Sequence, residues 1–110
     1  CVVYTGTHDN DTLCGWYKVL DPEDLKLSQK YMNNANTPKR QIHWDFIRLA
    51  LASVADLCII PLQDYLGLGS EARINMPSTL GDNWKWRMTK GAFSEELKEK
   101  IRRMTKLYGR

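Results

Sequence analysis

The chain lacks any apolar run close to the roughly 20 residues needed to span a bilayer, and no basic stretch precedes a short apolar segment at its start. Neither a membrane nor export is expected. Cysteine is sparse. Cys1, Cys14 and Cys58 are odd in number and show neither a C-x-x-C pair nor the density of a secreted disulfide framework. They read as reduced thiols of a cytoplasmic protein, or of a plastid one if the source is a plant or alga. An excess of one charge is also missing: 16 Lys and Arg face 13 Asp and Glu, for a net charge of +3. The two signs are mixed along the chain, which gives nucleic-acid binding little support. Internal repeats and low-complexity tracts are absent. So is an initiator methionine, and the chain begins inside a β-like run, so the start is expected to be a cut.

What is present suits one small folded unit: 110 residues, of which 43% are hydrophobic. β-Branched and aromatic residues favour a strand over Val2 to Thr7, with Gly6 suited to close approach of a ligand. Asp21-Pro22 is a helix-start signature, placing a helix from Pro22 to about Met32, which the Asn33–Pro38 stretch ends. From Gln41 to about Asp56, apolar residues at Ile42, Phe46, Leu49 and Ala50, broadened by Ile47, Leu51 and Val54, predict a helix packed on both sides. Leu57 to Leu62 reads as a strand buried on both faces, loosening at Pro61. A long irregular region from Tyr65 to about Gly91 follows, and Ser94 caps a last helix with Leu97, Ile101, Met104 and Tyr108 on one stripe. Two strands joined through helices form a β-α-β unit with a parallel sheet. Both strands end in polar residues on one side, where α/β folds place their chemistry.

At the first of these ends, Thr5 to Thr12 gathers a histidine, two carboxylates, an asparagine and three hydroxyls. Sugar hydroxyls suit such a set. A carboxylate beside the reacting carbon stabilises positive charge at an oxocarbenium-like centre, and a neighbouring histidine can bind a ring hydroxyl. Asp9 is the choice for the first role and His8 for the second, with Thr7 and Asn10 as further contacts. Asx turns and helix capping are the commoner work of an Asp-Asn-Asp cluster. Asp9 and Asp11 also form a D-x-D pair, which could hold a divalent cation in a metal-dependent glycosyltransferase. Gln63 and Asp64 offer hydroxyl contacts from the second strand's end, or simply begin a solvated loop. His43 falls on the buried helix pattern and reads as structural. Trp84 and Trp86 alternate with Lys85 and Arg87, a pattern for stacking on a sugar or a base; either ring would also serve as core filling.

Val2 to Thr12, Val-Val-Tyr-Thr-Gly-Thr-His-Asp-Asn-Asp-Thr, followed by Gly15-Trp16-Tyr17, closely resembles the segment of amylomaltases that ends barrel strand seven. Ile60 to Gly69 is similar to the family's strand eight and the loop after it. Ala72 to Pro77, Leu80 to Trp84 and Trp86-Arg87 resemble its substrate-side loop. This resemblance to the 4-α-glucanotransferase family, spanning nearly the whole chain in order, implies an α/β fold. The 110 residues would be the C-terminal portion of a single catalytic (β/α)₈ TIM-barrel domain of the α-amylase-like glycoside-hydrolase type, with the upstream strands absent. It implies retaining transfer of an α-1,4-glucan segment from a donor to a glucose or maltooligosaccharide acceptor, with no cofactor, no metal and no nucleic-acid partner. Asp9 falls on the family's transition-state-stabilising aspartate and His8 on the histidine that binds the glucose ring. The nucleophilic aspartate and the acid/base glutamate belong to earlier strands, so the chain by itself is expected to be inactive. Asn75 and Trp84 are expected to contact the acceptor from the loop, and Trp86 to be core.

Overall fold

A computed structural model describes residues 1–110 as a small α/β unit. Two short parallel strands, β1 (Val2–Tyr4) and β2 (Leu57–Ile59), pair in the register Val2 with Leu57, Val3 with Cys58 and Tyr4 with Ile59. Between them run α1 (Leu13–Lys18), α2 (Pro22–Tyr31) and α3 (Ile42–Leu51); after them come α4 (Leu62–Tyr65) and α5 (Glu95–Leu107). The parallel β-α-β expectation is met. Asp21 caps α2 by accepting from the Asp24 N–H at 2.9 Å, with Pro22 in the first turn, and Ser94 caps α5 by accepting from Leu97 at 3.2 Å. In both cases a short side-chain oxygen satisfies a backbone donor that the helix cannot.

The core lies where α3 meets α1 and α5, around Leu13, Trp44, Ile47, Leu51 and Met104. Leu97, Ile101 and Tyr108 pack against it, so the predicted stripe of α5 is the face that α5 buries. At the far end of α3, Arg110 donates to the carbonyls of Leu51 and Ala55, each at 2.8 Å, and of Ser53 at 3.1 Å. That satisfies acceptors which a helix C-terminus leaves open. No helix is long and apolar enough to cross a membrane.

Four expectations need correction. Each strand has three residues, because beyond Tyr4 and Ile59 the chains turn into loops: Thr5 still donates to Ile59 O at 3.3 Å, but Pro61 has no N–H and begins α4 instead. The second strand is not buried on both faces: Leu57 is 52% and Ile59 41% exposed, since helices cover one side of a two-stranded sheet. Helix α3 ends at Leu51, five residues short, and Val54 faces water. Helices α1 and α4 were not anticipated; they are too short for an apolar period to register.

The surface is large for the mass. It measures 7869 Å², whereas a compact monomer of 12.8 kDa exposes about 6300 Å². The excess includes the uncovered apolar side chains of Val2, Tyr4, Leu57 and Ile59.

Candidate active site

The segment from Thr5 to Thr12 leaves β1 and folds on its own hydrogen bonds. Asn10 Oδ1 accepts from the Thr7 N–H at 2.7 Å and from the Thr7 hydroxyl at 2.9 Å, while Asn10 N–H donates back to Thr7 O at 3.1 Å. The Asn10 side chain reaches back three residues and closes the Thr7–Asn10 turn, a local side-chain-to-backbone bond of the kind this residue type favours. Thr12 caps α1 by accepting from Gly15 N–H at 3.1 Å. The Asp11 carboxylate accepts from Thr12 N–H at 2.8 Å and from the Ser70 hydroxyl at 2.7 Å. Turn and capping work therefore accounts for Asn10, Asp11 and Thr12, but not for Asp9.

A Cβ at position 15 would lie 2.6 Å from the Asp11 carboxylate oxygens and collide with Ser70, so only glycine lets α1 approach this closely. Asp9 and Asp11 engage different partners, and no three His, Cys, Asp or Glu side chains gather in the chain.

Asp9 is part-exposed, and a second segment meets it from 66 residues away: Asn75 Nδ2 donates to Asp9 Oδ1 at 2.7 Å. On the other side, His8 Nε2 lies 3.3 Å from Asp9 Oδ2. Trp84 completes the group, its ring centroid 5.1 Å from that of His8 and inclined by 32°. Trp84 is 57% exposed and sits at φ 63°, a left-handed conformation that is rare for a bulky residue. Its N–H donates to Ile74 O at 2.6 Å, which pins the backbone there. His8, Asp9, Asn75 and Trp84 are thus brought together at the carboxyl ends of the parallel strands, with Thr7 and Asn10 exposed beside them.

Gln63 and Asp64 are not at this rim. Asp64 is 2% exposed, and its oxygens accept from the Thr5 hydroxyl at 2.6 Å and from Leu13 N–H at 2.9 Å. It joins β1's end to the start of α1, from α4. Burial pushes its pKa up; the Leu13 and Thr5 hydrogen bonds pull the other way, and the charge of Asp11 adds to the rise. Gln63 is equally enclosed and donates to Ala72 O at 3.2 Å. Neither side chain is free to meet a sugar hydroxyl in this geometry.

His43 is buried as expected, its ring pressed against Gly67, where a Cβ would come within 2.7 Å and where φ is +67°. Burial, then Lys100, lowers its pKa, so the ring is held neutral. Trp86 is half-buried and stands apart from the core, contrary to expectation.

One residue at the site escaped the sequence reading. Arg73 donates from Nη2 to Asp9 O at 2.7 Å and from Nε to Asn75 O at 3.0 Å. No local spacing rule links residues 64 positions apart.

A parallel β-α-β unit whose acidic and aromatic side chains cluster at the carboxyl ends of its strands has the layout of an α/β enzyme's catalytic face. The chain belongs to the 4-α-glucanotransferase family, whose model matches residues 1–94. It is 47% identical over 111 residues to the 4-α-glucanotransferase of Clostridium butyricum, covering 100% of this chain and 22% of that protein. It is 43% identical over 112 residues to a chloroplastic/amyloplastic 4-α-glucanotransferase of Solanum tuberosum, covering 99% of this chain and 19% of that one. Among solved structures, amylomaltase from Streptococcus agalactiae in complex with acarbose superposes with a TM-score of 0.91 at 35% identity, over 99% of this chain and 22% of that chain. The chain therefore spans about a fifth of the length of the relatives it matches.

Proposed function

We propose that this chain forms the closing part of a (β/α)₈ barrel in a cytoplasmic or plastid 4-α-glucanotransferase. The enzyme transfers α-1,4-glucan segments between maltooligosaccharide or longer glucan chains by a retaining double displacement. The observation that carries the reading is the meeting of Asp9, His8, Asn75 and Trp84, from two distant segments, at the carboxyl ends of parallel strands. The neighbour's complex with acarbose supports a carbohydrate ligand. The exposed flanks of β1 and β2 suit pairing with, and coverage by, the remaining barrel.

In this mechanism Asp9 supplies negative charge where the anomeric carbon becomes cationic, in a site that needs no reorganisation as charge develops. Asn75 fixes one carboxylate oxygen by a neutral hydrogen bond, so the charge is oriented without being cancelled. His8, 3.3 Å from the other oxygen, is placed to bind a hydroxyl of the reacting ring, with Thr7 and Asn10 as secondary contacts. Trp84 offers an apolar face to the acceptor. Gln63 and Asp64 shape the floor beneath these groups by holding the loop and α1. The nucleophile and the acid/base group come from chain outside these 110 residues.

The test is a graft. This chain replaces the matching 111 residues of the full-length Clostridium butyricum relative, and the product is assayed for disproportionation of maltotriose. Transfer at a rate comparable to that of the unmodified enzyme supports the reading; a folded graft without transfer refutes it.

A further inference from the structure

We propose that Arg73 is a positioning residue that sets the Asp9 carboxylate without neutralising it. The inference rests on the reading of Asp9 as the transition-state carboxylate. One guanidinium holds two backbones: Nη2 donates to Asp9 O at 2.7 Å and Nε to Asn75 O at 3.0 Å. Asn75 Nδ2 in turn donates to Asp9 Oδ1 at 2.7 Å. The result is a closed circuit in which the main chain and the side chain of Asp9 are both referenced to the same cation.

Arg73 forms none of the chain's ion pairs although Asp9 is its neighbour. It takes the carbonyl instead. A direct ion pair would place a permanent cation on the Asp9 carboxylate, whose other oxygen already faces His8; the carbonyl contact fixes where the carboxylate sits without adding one.

The base of Arg73 is itself anchored. Its N–H donates to Ser70 O at 3.1 Å, the preceding Ala72 is fully buried, and Gln63 donates to Ala72 O. The planar fork of arginine presents two N–H groups at a fixed angle, which a lysine ammonium cannot do.

The experiment uses the full-length graft carrying Arg73→Ala, Arg73→Lys or Asp9→Asn, with kcat, donor KM and Tm measured for each. Displacing a catalytic group by about 1 Å costs on the order of 10²-fold in turnover. Arg73→Ala is therefore expected to lose about that factor in kcat with donor KM within about threefold, and to regain part of it in millimolar guanidinium but not methylammonium. Arg73→Lys is expected to fall between Ala and the parent, and it carries the test if the Ala variant does not melt cooperatively. Arg73 variants within threefold of the parent in kcat, or a loss shared equally by kcat and KM without guanidinium rescue, overturn the assignment. Asp9→Asn with undiminished turnover overturns the underlying reading of Asp9 instead, so the two failures are distinct.

Discussion

Replacing Trp84 separates the sugar contact proposed for it from its part in the fold. At φ 63° the tryptophan sits in a region that costs a non-glycine residue about 1–2 kcal/mol. Glycine removes that strain and returns about 0.4–1 kcal/mol of it as unfolded-chain entropy, whereas alanine keeps the strain. Both lose the contact with His8, worth about 0.5–1.5 kcal/mol for a well-placed ring pair. With the ring more than half exposed, little further burial is lost. Trp84→Gly should therefore be about 0.5–1 kcal/mol more stable than Trp84→Ala, and close to the parent. Function should not follow stability. Loss of one stacked pyranose face, taken as about 1.4 kcal/mol, raises the apparent acceptor KM about tenfold in both variants. Water then competes better for the glycosyl-enzyme, so glucose release rises relative to transfer while donor cleavage holds. In the full-length graft, product ratios from maltotriose at graded glucose concentrations read the function, and urea midpoints read the stability. If both variants unfold together, or lose cleavage and transfer equally, Trp84 is a packing residue and the acceptor role is refuted.

The 110-residue chain tested by itself should release no glucose from maltotriose above a blank and should melt broadly, because a reversible, sharp monomeric transition is hard to reconcile with the exposed apolar strands. Asp64→Asn in the graft should remove the part of the pH dependence of stability that Asp64 contributes. The folded-state pKa of Asp64 is raised above its usual 3.8, so between that value and the raised one the folded chain holds the extra proton and stability falls as pH rises. The substitution should flatten that fall; a steeper fall in chemical-denaturation midpoints would contradict the burial argument.

The starts of α2 and α5 were legible because their signals are local: Asp21-Pro22 and Ser94 each act within three residues. The parallel pairing followed from two apolar runs separated by helical pattern. Strand length was not legible, since it depends on where the partner chain turns, at Thr5 and Pro61. The polar cluster was legible as a set of residue types, but its division of labour was not. Asp9 and Asp11 look alike in sequence, and only the distant partners Asn75 and Ser70 tell them apart. Gln63 and Asp64 looked like a rim pair, but α4, too short to show a period, turns them inward to bind Ala72 and Leu13. Arg73 left no local trace because both of its acceptors are main-chain carbonyls, which every residue carries.

In the proposed mechanism the charge of Asp9, and not its shape, drives the reaction. Asp9→Asn in the full-length graft keeps the volume and an oxygen able to accept from Asn75. Measured by single-turnover kinetics with maltotriose, beside equilibrium binding of the same sugar, it should lose at least about 10²–10³ in the rate of bond cleavage while Kd stays within a few-fold. A rate within a few-fold of the parent, at unchanged Kd, would show that Asp9 serves only the turn in which it sits.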